Sequence, residues 1–305
     1  MTKKVNLNLS KSNLDNYSWK SKYNLFNKED SSLLLYDENN IIRYIERFFA
    51  LHGLLIYDCR CERSFNQLDI VINYYSQLKV SQFVKKIEIN NYSNNNLSLK
   101  DFINLKKKEK FKNYNPKYKK CDFKFSKTRK SFVEQLQESL YLYTNKRLII
   151  NFILTNVNRS MAFDNFDYSE TMVIKKLLIR LRKYRSYKDI NMREFINVFL
   201  IILRKKNSAN FLANFLANQL RLFKRHNQLF NFVKYSLTLF IESSISRLKG
   251  IQIVIKGRLN RKMRAKKTII RIGQVPIQTL NNNMDYGQSV SYTPYGTFGI
   301  KVWVN

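Results

Sequence analysis

Residues 249–272 read Lys249-Gly-Ile-Gln-Ile-Val-Ile-Lys-Gly-Arg-Leu-Asn-Arg-Lys-Met-Arg-Ala-Lys-Lys-Thr-Ile-Ile-Arg-Ile272. Ile251, Ile253 and Ile255 alternate with Gln252, Val254 and Lys256, the period of two that turns one side of a strand toward a core. Ile269 to Ile272 is a second strand, and Phe298 to Val304 a third, with Ile300, Val302 and Val304 on one face. Turns are expected at Gly257, from Gly273 to Pro276, from Asn281 to Asn283 and at Tyr295-Gly296. Strands that follow helices in this way make an α+β domain with an antiparallel sheet. Within the same stretch, Lys256, Arg258, Arg261, Lys262, Arg264, Lys266, Lys267 and Arg271 supply eight cations in sixteen positions, with no acid among them. Carried on a strand, its turn and the next strand, they form a ridge suited to following a phosphate backbone.

The rest of the chain agrees with a polyanionic partner. Its 305 residues hold 55 Lys and Arg against 22 Asp and Glu, a formal net charge of +33 whose self-repulsion calls for neutralisation. Nucleic acid is the first candidate and an anionic membrane surface the competitor. The longest nearly uninterrupted apolar run, Phe195 to Leu203, is interrupted by Asn197 and is about half the length of a spanning helix, so it reads as core. With 44% hydrophobic and 14% aromatic residues, the chain is long and apolar enough for two folded domains plus insertions. Cys59, Cys61 and Cys121, with His52 and His226 at unsuitable spacings, match neither a zinc site nor a disulfide framework, and read as buried or incidental thiols. No cofactor is expected. There is no phosphate loop, no dinucleotide fingerprint and no nucleophile–base cluster, so the chain does not read as an enzyme, and Glu134 and Glu138 read as helix-surface groups. Residues Met1 to Asp15 resemble neither a secretory signal nor a transit peptide. Abundant Asn, Lys, Ile, Tyr and Phe beside 7 Gly and 3 Pro suggest an AT-rich genome and synthesis within an organelle.

Upstream, Ile41, Ile42, Ile45, Phe48 and Phe49 recur at helical spacing within Asp37 to Leu51. Gly53 ends that helix, and Leu54 to Cys61 and Leu68 to Tyr75 form a hairpin. Residues 76–130 read as a basic, Asn- and Lys-rich insertion. Phe132, Val133, Leu136, Leu140 and Leu142 mark a second helix, and Arg147 to Val157 a strand. Thr171 to Leu203 reads as helical and basic, Ser208 to Leu229 as a helix with Phe211 and Phe215 on one face, and Phe230 to Leu248 as a helix stopped by Gly250.

Four segments of the C-terminal region carry a resemblance. Lys249 to Leu259, Gly273-Gln-Val-Pro-Ile-Gln-Thr-Leu280, Met284-Asp-Tyr-Gly287 and Tyr295-Gly-Thr-Phe-Gly-Ile-Lys-Val-Trp-Val304, in this order, resemble the C-terminal domain of the small-subunit ribosomal protein three family. In this motif Gly257 and Gly287 read as turn residues, Gly296 and Gly299 as turn and strand-starting residues, and Trp303 as an anchor near the sheet edge. The resemblance implies a non-enzymatic RNA-binding constituent of the small ribosomal subunit, of mitochondrial type given the composition. Its RNA contacts would be the eight ridge cations with Lys234 and Lys249.

The same resemblance implies a type II KH-like domain, split by insertions, with Trp19 to Tyr23 in an N-terminal arm. The layout is then arm 1–30, KH-like parts 31–75 and 131–157, insertions 76–130 and 158–207, and C-terminal domain 208–305. The loop matching a KH Gly-x-x-Gly clamp falls on Lys127-Thr128-Arg129-Lys130, where lysine prevents close approach of backbone and phosphate. By the same resemblance the chain lies in the subunit head near proteins ten and fourteen, beside the entrance for mRNA. Two registers are open for the mRNA-facing helix. One places it on Phe232 to Leu237, where Lys234 is the cation kept and Val233 and Leu237 stand for cations; the other places it on Lys224 and Arg225. The alternatives from other classes are a free-standing RNA maturation or splicing factor and a membrane-peripheral protein.

Overall fold

The computed structural model describes residues 21–23, 30–64, 67–76, 132–144, 148–158, 167–186, 191–204, 208–223, 226–243, 245–259, 266–277, 279, 284–294 and 296–305. Outside them lie Cys121, Lys127 to Lys130, Lys224, Arg225, Arg261, Lys262, Arg264 and, apart from Ser76, the insertion expected over 76–130; the side chain of Lys266 is likewise not described.

Helix α1 (Ser31–Leu51) begins six residues before Asp37, its expected start, and buries Ile41, Ile45 and Phe49 at four-residue spacing. Strands β2 (Leu54–Arg63) and β3 (Gln67–Ser76) pair antiparallel, with a bulge between Ile56 and Asp58. Helix α2 (Phe132–Tyr143) leads into β4 (Ile149–Asn156), which lies parallel to β3, and the short β1 (Ser21–Tyr23) lies parallel to β2 at the other edge. The sheet order is β1-β2-β3-β4. Its inner face, with Cys59, Cys61, Ile70, Ile72 and Ile150, meets Ile41, Ile45, Phe49, Leu136 and Leu140 from the two helices. Leu142, expected in that face, is instead 66% exposed, because it sits two positions past Leu140 and so on the far side of the helix. Both described thiols are buried, and the hydrogen bond that protonated Cys59 makes with Cys61, together with burial, pushes the Cys59 thiol above its ordinary range.

Four helices follow: α3 (Tyr168–Leu181), α4 (Met192–Arg204), α5 (Ala209–Leu222) and α6 (His226–Ile241). Thr171 to Leu203 is therefore two helices, with a 3-10 turn at Arg182–Ser186 after the first. The outer face of α3 is basic, with Lys175, Lys176 and Arg180 exposed, but α4 is buried nearly all round, and both helices belong to the largest core: Ile174, Leu177 and Leu181 from α3, and Phe195 and Val198 to Leu203 from α4. The Glu170 carboxylate accepts from the Asp167 amide at 3.3 Å and pairs with Arg204, tying the start of α3 to the end of α4.

The next two boundaries also differ from expectation. At Phe223 the backbone becomes extended (φ −86°, ψ 133°), and α6 starts at His226, whose buried ring stands 5.2 Å from that of Phe298. The second helix then ends at Ile241, not Leu248. The hydroxyls of Ser243 and Ser246 donate to the carbonyls of Phe240 and Ile241 at 2.5 and 2.7 Å, taking acceptors that another helical turn would need. Gly250 is accordingly no helix stop. It begins β5, where a Cβ would lie 2.6–2.8 Å from the backbone of Gln274 and Ile272.

The second sheet is antiparallel throughout: β5 (Gly250–Gly257), β6 (Lys266–Gly273), β7 (Asp285–Thr293) and β8 (Gly296–Val304), in the order β6-β5-β8-β7. Trp303 thus lies on an interior strand, and Gly299 lies inside β8 instead of starting it. Strand β7 was expected only as a turn at Gly287, since Asp285-Tyr-Gly-Gln-Ser-Val-Ser-Tyr-Thr293 lacks an apolar alternation. Its inner residues are small because α5 crosses at close range. A Cβ on Gly287 would lie 2.4 Å from the Ala209 backbone, Ser291 Oγ donates to the Ala217 carbonyl at 2.7 Å, and the Ala209 amide donates to Asp285 Oδ2 at 2.6 Å. The other side of α5 reaches the first sheet, where Tyr57 and Tyr75 each stand 5.5 Å from the Phe211 ring.

Two outcomes follow for stability. Gly287→Ala should destabilise the fold by about 1–3 kcal/mol in denaturant unfolding, through overpacking against α5. Gly299→Ala, with nothing within 4 Å of the added carbon, should leave the midpoint nearly unchanged. The second outcome concerns pH. Burial holds the His226 imidazole below its ordinary 6.5, an effect opposed by hydrogen bonds with the backbone of Leu220 and Phe223. The folded state therefore binds fewer protons at this site than the unfolded chain. Its contribution is full above about pH 6.5 and is lost as pH falls below it. His226→Phe should make the dependence of the unfolding midpoint shallower between pH 7 and 5.

Candidate nucleic-acid interface

The alternation that buries Ile251, Ile253 and Ile255 under the helices sends Lys256 to the opposite side of the sheet. Cross-strand register then determines its neighbours. One row runs Lys267, Lys256, Gly299, Val290; the next runs Ile269, Val254, Lys301, Gln288; a third runs Arg271, Gln252, Trp303, Tyr286. Neighbouring strands lie about 5 Å apart, so Lys256, Lys267 and Lys301 fall within one or two strand spacings of each other.

The third row is covered. Val254 and Trp303 are buried with Val275 and Met284, which fold back over that end of the sheet, and Arg271 Nη2 donates to the Val275 carbonyl at 3.3 Å. The first row is open, and the second is open at Ile269 and Gln288, on either side of buried Val254 and half-buried Lys301. Lys256 and Lys267 are exposed, Ile269 and Val290 are 52% and 51% exposed, and Tyr292 beyond them is 72% exposed. At the centre is Gly299, where a Cβ would meet nothing within 4 Å. This leaves a flat floor rimmed by ammonium groups and apolar side chains.

No carboxylate among the described residues lies on this face. Asp285, the acid of β7, is turned the other way, toward the Ala209 amide. The arrangement therefore presents cations without local counter-charge, next to surface flat enough for a ribose or a base. Such a site attracts polyanions through phosphate neutralisation and carries no group placed for bond-making chemistry.

Of the cations singled out from sequence, the structure brings Lys256, Lys267 and Arg271 onto this face and leaves Arg258 exposed just beyond the end of β5. Lys249 is exposed at the opposite end of that strand. Lys234 is on neither edge of the sheet: it is exposed on α6, within the helical layer. Lys301 and Gly299 belong to the site and were not anticipated as such. The alternation of Ile300, Val302 and Val304 already sends Lys301 to the other side, but its approach to Lys256 depends on register.

Helix α6 also corrects one reading of its sequence. Val233 and Leu237 are 1% and 0% exposed, inside the main core, so neither position faces a channel in which a cation would serve. Beside Lys234, Tyr235 is half-buried and carries Lys183 Nζ over its ring at 4.3 Å.

Comparison with known proteins locates the same region. Residues 233–304 match the family model described as ribosomal protein S3, C-terminal domain. The chain is similar to the small ribosomal subunit protein uS3c of Guillardia theta, 35% identical over 131 residues, covering 43% of this chain and 55% of that one. It is 30% identical over 162 residues to uS3c of Euglena longa, covering 53% and 72%, and 41% identical over 56 residues to uS3 of Aquifex pyrophilus, covering 18% and 24%. The chain spans about half the length of the curated relatives it matches.

Burial predicts the effect of restoring charge to α6. Val233→Arg with Leu237→Lys should destabilise the protein by several kcal/mol in thermal unfolding, because two unpaired cations enter an apolar core. Lys234→Ala should change the midpoint little.

Proposed function

This chain belongs to the ribosomal protein S3 family, and on that premise we propose that it is a structural constituent of a small ribosomal subunit, holding ribosomal RNA on the open face of its C-terminal sheet. The family is structural and not enzymatic. The observation that carries the proposal is the acid-free face of Lys256, Lys267 and Lys301 around Gly299, in a chain of net charge +33. Arg258, Arg271 and Lys249 extend this contact, and Arg261, Lys262, Arg264 and Lys266 belong to the same ridge in sequence.

Finer features rest on the family and on composition together. The order α1, β2, β3, α2, β4 with β4 parallel to β3 supports a type II KH-like unit in the N-terminal half, followed by the C-terminal domain over 208–305. Lys234, exposed on α6, is the described cation proposed for the mRNA entrance; Lys224 and Arg225 are its companions in the other register. Placement in the subunit head, with proteins ten and fourteen as neighbours, follows from the family. The relatives named above are uS3c and bacterial-type uS3 proteins, which supports an organellar or bacterial-type ribosome. A mitochondrial one is proposed from the Asn- and Lys-rich, Gly-poor composition.

Salt dependence tests the central claim. Replacing Lys256, Lys267 and Lys301 by Ala should reduce the slope of log affinity for ribosomal RNA against log salt by roughly 0.7–0.9 per lost phosphate contact. The wild-type chain should sediment with the small subunit at high salt. An unchanged slope removes the RNA face, and release at high salt points instead to a free-standing RNA-binding factor.

A further inference from the structure

Helix α3 lies outside the segment that matches the family model, and its sequence, Tyr168-Ser-Glu-Thr-Met-Val-Ile-Lys-Lys-Leu-Leu-Ile-Arg-Leu181, holds one acid. That acid, Glu170, is paired with Arg204 of α4. Ile174, Leu177 and Leu181 take the helix into the main core, which turns Lys175, Lys176, Ile179 and Arg180 to the other side, where all four are exposed. The 3-10 turn that follows continues the series with exposed Arg182 and Lys183. The Lys183 ammonium stands 4.3 Å from the ring centroid of Tyr235 and 5.2 Å from that of Tyr184, and the Tyr184 ring meets Phe232 edge-on at 5.5 Å. These contacts seat the turn on α6, beside exposed Lys234.

Helix stability does not account for this series. Cations near the last carbonyls of a helix are favourable, which covers Arg180 and Arg182. Lys175 and Lys176 stand in the middle of α3 with no carboxylate three or four residues away, and Lys176 repels Arg180 across one turn. The arrangement therefore costs the isolated fold a little and is offset by a partner of opposite charge.

The RNA face of the C-terminal sheet cannot supply that charge. Helix α6 packs against β6 on the side away from Lys256, Lys267 and Lys301, and α3 packs against α6. Packed layers are about 10 Å apart, so the outer face of α3 lies roughly 20 Å from the open face of the sheet. The Debye length is about 8 Å at physiological salt, and a polyanion on the sheet leaves the α3 cations unneutralised. The apolar face of α3 is already spent in the core, so an anionic membrane would gain little hydrocarbon burial here, whereas RNA needs only the cations. From Lys175 to Lys183 the chain covers about 12 Å of helix axis, room for about three successive phosphates of one strand.

We propose that α3 and the turn after it form a second RNA-binding surface, through which this chain bridges two RNA segments, one on each side of its C-terminal domain. Bridging rests on the reading of the sheet as an RNA face; the α3 surface stands on its own residues.

The test uses the full chain and two short RNA strands of unrelated, non-complementary sequence, one carrying a donor dye and the other an acceptor. Sedimentation should give a complex of one chain with two RNAs, and energy transfer between the dyes should appear on mixing and vanish under excess unlabelled RNA. Lys175→Ala with Lys176→Ala and Arg180→Ala should leave one RNA per chain and abolish the transfer, at an unfolding midpoint close to wild type because all three residues are exposed. Arg43→Ala with Arg47→Ala removes exposed cations from α1 and should leave both RNAs bound, which separates a site from net charge. The inference is overturned by a wild-type chain that holds one RNA, by an α3 variant that keeps two, by transfer that needs two chains, or by loss of the second RNA in the α1 variant as well. Displacement of RNA from α3 by phosphatidylglycerol vesicles also overturns it. If Lys256→Ala with Lys267→Ala and Lys301→Ala keeps two RNAs while the α3 variant keeps one, the sheet reading falls and the α3 surface remains.

Discussion

Helix α5 is buried from both sides, and the architecture depends on that double contact. On one side Phe211 meets Tyr57 and Tyr75 of the first sheet; on the other, Ala209 and Ala217 lie against the backbone and hydroxyl of β7. A helix with one apolar stripe can serve one sheet. This one buries Phe211, Leu212, Ala213, Phe215, Leu216, Ala217 and Leu220, apolar nearly all round, and so joins two sheets into one body. The repeat Asn210 to Asn218 makes this possible, with Phe and Leu filling space and Ala permitting approach. Asp285 completes the arrangement by accepting from an amide at the helix start, where a carboxylate is favoured.

Because the sheets are joined back to back through helices, each keeps one outward face, and the two faces differ in charge. The C-terminal sheet offers ammonium groups around a glycine floor. Among the described residues, the N-terminal sheet offers paired ions, a carboxylate excess and isoleucines. In a chain of +33 the second pattern cannot arise from average composition, which would place cations there as well.

Much of this was legible beforehand, for reasons that particular residues make plain. Ile41, Ile45 and Phe49 announce a helix, and Ile251, Ile253 and Ile255 a strand, since each pattern has the period of its element and buries as that period requires. Strand β7 was illegible because Gly287 and Ser291 are selected for a close crossing with α5, which the local sequence does not reveal. Serines that compete for carbonyls hide the end of α6, and Gly250 has the look of a helix stop although its small size serves the backbone of Gln274. Of the site, the cations were visible and their grouping was not. Lys301 joins Lys256 only through the register of β5 and β8, a tertiary fact.

The order of the C-terminal sheet, β6-β5-β8-β7, has a consequence for synthesis. Ribosomes deliver β5, β6 and β7 before β8, so the central strand emerges after both of its neighbours. Until residues 296–304 leave the exit tunnel, β5 has one partner and β7 has none, and the nascent chain carries a slot with two exposed backbone edges. Unpaired edges of this kind invite pairing with other strands until the last strand is added. A stalled or truncated translation product loses the middle of its sheet, and with it Gly299 and Lys301, instead of shedding a dispensable edge.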